Sequence, residues 1–477
     1  MNIIKFKENI RRPGMLLCIG VVLVSSFLFL FRLGSEAIID YDEGIYAQVI
    51  DRTVESGDLL TLKMDKPWFE KPPLYMWAAM VSEKLFSSSE FSLRLPSALA
   101  GILTVIVTML IAYEITGNLL IAALAGAILS LTGGFVEAGR QLRLDVPVTL
   151  AVVFSFYSFL KGQRRPWWYV GVGIGMGIGF MTKSVIGLLA LPLIFFWAVI
   201  RKEFSWLKNK FLWIGIVLML VIILPWHIYE TIYFGSQLWD YFLHQILGRL
   251  GTNVTGGTVS NMMYARYLLT VATPWIIIFI IASVQVFRNR KSNPTSLAFF
   301  SIILAIFLIA TTFFLAKGKL AYYLVPVFPL IALVCSYAIY LWYELCKEKH
   351  RVAFLAGLVI VLFVGLGETV YVGFHFQKDF AGNRIISSDE KEIGLYLLAN
   401  PTPKEVFTYA YTYWDTIRYY SKGRPLQAIK KEDVIIRPFF LIISTHTRAT
   451  HAFPSELERR LTTIYSGQST TLLRFEP

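Results

Sequence analysis

Three short segments of this chain place ionisable groups where they could act on a substrate. DYDEG (40–44) sets Asp42 beside Glu43, WFEKPPL (68–74) sets Glu70 beside Lys71, and RQLRLD (140–145) runs Arg140 and Arg143 into Asp145. A carboxylate such as Asp42 can accept a proton from an attacking hydroxyl. Lys71, held by Pro72 and Pro73 next to Trp68 and Phe69, is a point charge suited to a phosphate, and Glu70 could hold a cation or orient Lys71. Arg140 and Arg143 with Asp145 form either an anion clamp or a helix-end ion pair. Further along, HQILGR supplies His244 and Arg249; a histidine paired with Glu70 would give an oxygen and nitrogen donor set that zinc tolerates.

Each segment also has a plainer reading. Adjacent carboxylates at a helix start are favoured by the helix dipole alone, and Glu70 with Lys71 makes an ordinary interfacial ion pair. A histidine such as His244 is more often a hydrogen-bonded structural residue than a ligand. No HxH, HExxH or CxxC spacing occurs, so spacing by itself gives no metal site. What favours chemistry is the setting, because ionisable residues kept at a membrane face are costly.

That setting comes from composition. The chain is 56% hydrophobic and 16% charged, which excludes an ordinary soluble globular protein, whose apolar share is about 45–50%. Cys18, Cys335 and Cys346 all sit in or beside apolar runs, leaving no disulfide framework and no thiolate metal cluster. The net charge of +13 falls largely in short clusters between apolar runs, where the positive-inside rule explains it and nucleic acid is not needed.

Apolar runs of spanning length lie near 15–33, 97–115, 118–134, 145–161, 167–182, 185–200, 211–229, 263–287, 295–315, 322–343 and 351–371, about eleven transmembrane helices. The first is too long for a removable signal peptide and has no small-residue cleavage site. Lys5, Lys7, Arg11 and Arg12 put the N-terminus inside, and alternation then brings the clusters at 161–165, 201–210, 288–291 and 347–351 inside as well. The same alternation sends the loops 34–96, 135–145, 230–262 and 316–322, with the tail, to the outer face. The expected organisation is a transmembrane domain over 1–371 and an extracytoplasmic α/β domain over 372–477. In that tail, VFTYAY, FFLIIST and TLLRF have strand length, while SSDEKEIGLYLLAN and FPSELERRL carry helix starts. The periodicity of IYAQVIDRTVES (45–56) predicts an amphipathic helix on the membrane surface.

Taken in order, DYDEGIYA, WFEKPPL, FSLRLPSAL, RLD, HQILGR and KGKLAYYLVPVFPLIAL resemble the bacterial polyprenyl-phosphate-dependent glycosyltransferases of the GT-C superfamily. The aminoarabinose transferases that modify lipid A, relatives of the protein O-mannosyltransferases, are the nearest branch in this resemblance. It implies a polytopic helical membrane protein of the plasma or inner membrane. Its activity would be inverting transfer of a sugar from a polyprenyl-phosphate donor to a glycolipid acceptor on the outer face. It also implies roles: Asp42, with Glu43, and Asp145 as catalytic carboxylates, Lys71, Arg249 and Tyr323 as the donor-phosphate site, and Glu70 with His244 as ligands of a divalent metal, zinc in that branch. Tyr46, Arg143 and Lys319 are placed on the substrate side. The chain departs from the branch in having eleven apparent spans rather than thirteen, and in carrying Gly44-Ile45 where Thr-Arg is frequent. Two other acceptor or functional classes stand beside this one: transfer to secreted polypeptide, as in protein O-mannosylation, and a non-enzymatic lipid carrier or transporter. A transporter would place its charges mid-span rather than at one face.

Overall fold

The computed structural model describes residues 2–39, 41–243, 260–318, 320–375, 387–409, 415–429, 437–450, 453 and 455–476. Its contacts divide into two compact units, one of residues 1–32, 69–78 and 94–376, the other of residues 33–68, 79–93 and 377–477.

The first unit is helical. Among the described residues eight helices are long and apolar enough to cross a membrane, and ten if each of two bent pairs is one span. Both bent pairs fall on runs expected to be single spans. Residues 118–134 form Leu119–Ser130 and then Gly133–Gly139 at 68°; residues 263–287 form Asn261–Ala272 and Trp275–Asn289 at 97°, broken at Pro274, which cannot donate to the helix ladder.

The expected run 185–200 is the instructive difference. By itself the helix Ala190–Arg201 is 12 residues, about 18 Å, which is too short to span. The chain, however, turns back on itself after Lys183. Ser184 has φ 52°, and Gly187 packs so tightly on Gly179 that a Cβ at either position would strike the other's backbone. Residues eight apart in one straight helix would be about 12 Å from each other. The 3-10 turn Ser184–Leu188 is therefore the start of the returning segment that Ala190–Arg201 continues.

Glycine spacing makes this close packing possible. In GVGIGMGIG (171–179) alternate positions lack side chains, so the helix Tyr169–Lys183 can lie between two others. A Cβ on Gly175 would collide with Ser155 Oγ of the helix Asp145–Gly162, and one on Gly173 with the Gly215 carbonyl of Lys210–Phe234. Small residues at such crossings let helix backbones approach, as at other membrane helix interfaces.

The second unit is α/β. Its five strands, β1 (Val406–Tyr409), β2 (Gln427–Ala428), β3 (Phe439–Ser444), β4 (Leu461–Ser466) and β5 (Thr470–Phe475), are ordered β2-β1-β3-β5-β4. The β1 strand is parallel to both neighbours and β5 antiparallel to both of its own. Ile393, Leu397, Ile417, Phe440, Ile442 and Leu472 fill one face. The expected strands and the helices Ser387–Ala399 and Ser455–Arg460 are present. The unit also takes in the first loop: the helix Asp42–Ser56 buries Gly44, Tyr46, Ala47, Val49 and Ile50. Its apolar stripe is thus covered by protein, in place of the membrane-surface position that periodicity predicted, because the short helix Asp415–Tyr420 packs against it at Gly44.

Candidate active site in the helical unit and the first-loop carboxylates

Asp145 opens the helix Asp145–Gly162 and Lys183 closes the next helix, Tyr169–Lys183. The glycine-lined contact between those helices brings the two ends together, and Lys183 Nζ donates to Asp145 Oδ1 at 2.5 Å. The carboxylate sits at a helix N-terminus and the ammonium at a C-terminus, so each charge also meets the favourable end of its own helix dipole. Lys183 further lies 5.2 Å from the ring of Tyr323 and 5.7 Å from that of Tyr322.

A largely apolar cavity of about 320 Å³ adjoins this pair. Its wall includes Glu70, Lys71, Lys183, His227, Phe313 and Tyr323. Lys71 Nζ donates to the Glu70 carbonyl at 3.0 Å. The His227 ring Nδ1 lies 2.8 Å from the Ile223 carbonyl; a carbonyl can only accept, so Nδ1 carries the proton and Nε2 the lone pair. Phe69 stacks edge-on with Phe234 at 5.2 Å and joins Trp226 and Leu238 in an apolar cluster that anchors the segment.

A hydrogen-bond chain ties three of the sequence segments into one frame. Tyr75 OH meets Ser97 Oγ at 2.6 Å, and Ser97 Oγ donates to the Arg143 carbonyl at 2.8 Å. The loop carrying Glu70 and Lys71 is thereby fixed to the loop carrying Arg143 and Asp145. Arg143 places its guanidinium 3.8 Å from the Tyr322 ring centre. Buried hydroxyls with both roles filled hold such frames in one geometry.

Several expectations change here. Asp145 is paired with Lys183, so the ion pair expected within RQLRLD is not what forms. Arg140 also serves the backbone: its Nη1 donates to the carbonyls of Leu28, Phe29 and Phe31, satisfying the end of the helix Asn2–Leu30, and its guanidinium lies 4.0 Å over Phe374. Lys183 and His227 were not singled out. A lone lysine after an apolar run looks like a flanking turn residue, and a lone histidine within one carries no spacing signal.

The second unit holds Asp42, Glu43 and Tyr46. Tyr41 precedes the helix at φ 61°, ψ −115°, a costly conformation for a residue with a Cβ. Asp42 is the partly exposed first helical residue. Glu43 is 2% exposed and accepts from the Ile39 amide at 2.8 Å, so it closes the loop that enters the helix. Tyr46 packs edge-on against Trp68 at 6.0 Å. Around them, Ile38 N–H donates to Tyr420 OH at 2.9 Å, and Tyr420 OH donates to Glu90 at 2.8 Å. Lys391 also donates to Glu90, at 2.6 Å.

His244, Arg249 and Lys319 lie outside the described residues. Among the described residues no three His, Cys, Asp or Glu side chains come together as metal ligands. Glu70 and His227 share a cavity wall; zinc sites use three or four protein ligands, so a metal there would need at least one more.

Residues 70–229 match the family described as dolichyl-phosphate-mannose-protein mannosyltransferase. The undecaprenyl phosphate-alpha-4-amino-4-deoxy-L-arabinose arabinosyl transferase 2 of Pseudomonas fluorescens is 28% identical over 387 residues, 77% of this chain and 66% of the relative. The enzyme of that name from Proteus mirabilis is 26% identical over 373 residues, 74% of this chain and 65% of the relative. The chain thus spans just under two thirds of the length of these curated relatives. Among solved structures, ArnT from Cupriavidus metallidurans bound to undecaprenyl phosphate has the same fold, with a TM-score of 0.71 at 20% identity, covering 96% of this chain and 97% of that one. The oligosaccharyltransferase of Archaeoglobus fulgidus shares the fold more distantly, with a TM-score of 0.63 at 11% identity over 87% of this chain and 64% of that one. Its complex with zinc and sulfate has a TM-score of 0.55 at 11% identity over 95% and 72%. The chain thus has the ArnT fold along nearly its whole length, is similar in sequence to the aminoarabinose transferases, and matches the mannosyltransferase family over the segment that carries Glu70, Lys71, Asp145 and Lys183.

Proposed function

We propose that this chain transfers a sugar from a polyprenyl-phosphate donor to a lipid A-type glycolipid on the extracytoplasmic face of the plasma or inner membrane. The observation that carries the reading is the cavity that gathers Lys71, Lys183 and Tyr323 beside the Asp145 ion pair. Two cations and a phenol on an apolar wall suit a phosphate attached to an isoprenoid chain, with the apolar remainder of the wall left for the lipid. The names of the relatives, which act on undecaprenyl-phosphate aminoarabinose, support the same donor class.

In the reaction, the bond between the sugar's anomeric carbon and the phosphate oxygen breaks, and the electron pair leaves with the phosphate. Lys71 and Lys183 meet that charge, which lowers the barrier to departure. The acceptor oxygen attacks from the opposite face, so the configuration inverts. Lys183 then shares its charge between Asp145 and the phosphate, and the bound donor loosens an ion pair that the empty protein keeps closed. An acceptor phosphate is already ionised and needs only positioning; an acceptor hydroxyl must lose its proton, and the resemblance assigns that task to Asp42. Glu43 is assigned to holding the loop that carries Asp42, since its Oε2 accepts from the Ile39 amide.

The basic residues support the sidedness. The helix Asp145–Gly162 runs from Asp145 at one end to Lys161 at the other, and the clusters at 161–165 and 201–202 belong on the cytoplasmic side. Protein O-mannosylation is the second reading, favoured by the family match at 70–229, a region that carries donor-side residues. Proteoliposomes given undecaprenyl-phosphate aminoarabinose or polyprenyl-phosphate mannose, with lipid A or a Ser/Thr peptide as acceptor, separate the two by product mass. No transfer from either donor would end the enzymatic reading.

A further inference from the structure

Glu137 stands on the short helix Gly133–Gly139, the second arm of a bent pair, and Tyr267 on the helix Asn261–Ala272 that packs against it. Glycine makes the approach close: a Cβ on Gly134 would come 2.6 Å from Val271 Cγ2. Both side chains are half-buried. Among the described residues neither carboxylate oxygen of Glu137 nor the phenol oxygen of Tyr267 takes a hydrogen bond or an ion pair, and none of these atoms is sealed from solvent as the Tyr264 hydroxyl is.

The charged groups around them have other tasks. Glu368 Oε2 accepts from the Gly133 amide at 3.0 Å, which closes the break before that helix. Asp145 holds Lys183. The charge of Arg143 reaches Glu137 without an ion-pair contact, and its guanidinium lies over the Tyr322 ring. Glu137 therefore keeps open acceptor capacity inside a helical bundle, where a carboxylate without a partner is costly.

The surroundings indicate which part of a ligand would meet it. Tyr267 lies within electrostatic reach of Glu137, Arg143 and Asp145 together. Lys183, bound to Asp145, lines the donor cavity with Lys71. The Tyr322 ring has the Arg143 guanidinium 3.8 Å from its centre and the Lys183 ammonium 5.7 Å from it. Cations suited to a phosphate and an open carboxylate beside a phenol thus lie in one neighbourhood.

We propose that Glu137, with Tyr267, binds a cationic amino group on the sugar of the polyprenyl-phosphate donor and so selects amino sugars over neutral ones. The inference rests on the donor class proposed above and adds to it the charge of the sugar. A carboxylate only accepts, which suits an ammonium; a phenol both donates and accepts, which suits a neighbouring ring hydroxyl. Such a ligand is anionic at its phosphate and cationic at its sugar, as the two sets of side chains require. A neutral sugar in the same place would leave Glu137 without a charged partner, and a site built around a polar group discriminates against the analogue that lacks it.

The test reads binding by the full-length protein in detergent, through tryptophan fluorescence. The probes are undecaprenyl phosphate, undecaprenyl-phosphate aminoarabinose, and undecaprenyl-phosphate arabinose, in which a hydroxyl replaces the amine. The wild type is expected to bind the amino donor about tenfold or more tightly than the neutral one, the size expected of one hydrogen bond to a charged group. Glu137→Gln should bring that ratio close to one and leave the affinity for undecaprenyl phosphate unchanged, a change in preference that a merely structural role would not give. Glu137→Asp should keep part of the preference. Equal binding of the two sugar donors by the wild type, or an undiminished preference in Glu137→Gln, overturns the inference and leaves the donor class standing. Failure of the wild type to bind any of the probes overturns both. Should Glu137→Gln lose undecaprenyl phosphate as well, Tyr267→Phe decides: weaker binding of the amino donor with undecaprenyl phosphate unchanged upholds the site, and unchanged binding of both ends it.

Discussion

The Lys183 ammonium and the Asp145 carboxylate are 2.5 Å apart, with side chains 10% and 4% exposed. Breaking such a buried pair from one side strands the other charge, at a cost of about 3–5 kcal/mol. Lys183→Met should therefore lower the melting temperature in detergent sharply. Adding Asp145→Asn to it should recover much of the stability but none of the transfer, since the proposed reaction uses both charges. A double variant that regained activity would show the pair to be structural only.

Lys71 sits on a segment stiffened by Pro72 and Pro73 and anchored through Phe69. Lys71→Ala should weaken binding of the polyprenyl-phosphate donor, and Lys71→Arg should weaken it less, because a charge remains on the cavity wall. Donor titration by tryptophan fluorescence checks the order. Unchanged affinity in the alanine variant would make Lys71 an interfacial anchor.

Asp42→Asn should reduce turnover by about 10²-fold or more while leaving folding intact. Asn keeps the size of the side chain and removes the charge. As a charge at a helix start, Asp42 contributes only about 0.3–1 kcal/mol, so the loss of a dipole partner cannot explain a large kinetic effect. Near-normal transfer with unchanged stability would remove Asp42 from the chemistry.

Glu43 is expected to behave in the opposite way. Glu43→Gln retains an acceptor for the Ile39 amide and should be almost silent, whereas Glu43→Ala leaves that buried N–H unpaired and should cost about 1–3 kcal/mol. Thermal melts of the two variants test this, and equal losses in both would contradict the loop-closing role.

A reporter fused after residue 371 should be active only on the external side. The reversal at Ser184 bears on this expectation, because the count is odd only when each bent pair is taken as one crossing and Ser184–Arg201 as another, beside the eight long helices among the described residues. A cytoplasmic signal would separate the tail from the face assigned to it.

The sequence made some of this legible and hid the rest for physical reasons. Glu70, Lys71 and Asp145 stood out because charge and proline interrupt long apolar runs, and Tyr323 through the resemblance alone. Lys183 did not: its partner lies 38 residues earlier in the chain, and only the glycine-lined helix contact brings them together. Arg140 looked like an anion-binding group alone because a row of charges does not show which arginine also holds backbone carbonyls. The bend at Pro274 and the reversal at Ser184 sit inside or beside apolar runs, where hydropathy averages over them. The helix Asp415–Tyr420 spans 6 residues, too few for a periodic signal. The tail strands were readable because β-branched and aromatic residues cluster between turn residues.

Gly44 bears on how this protein can be rebuilt. A methyl group there would come 2.9 Å from Asp415 Cβ and 3.0 Å from the Thr416 nitrogen, and Gln48 adds a hydrogen bond to the Asp415 carboxylate at 3.1 Å. The first loop and the C-terminal segment are thus cut to each other's shape although they lie more than 350 residues apart in the chain. A chimera that took its tail from a relative with a larger residue at the Gly44 position would meet a gap, and the reverse exchange would meet a collision. Gene segments for the two must be swapped together, and truncating the tail would leave the DYDEG loop without the surface that shapes it.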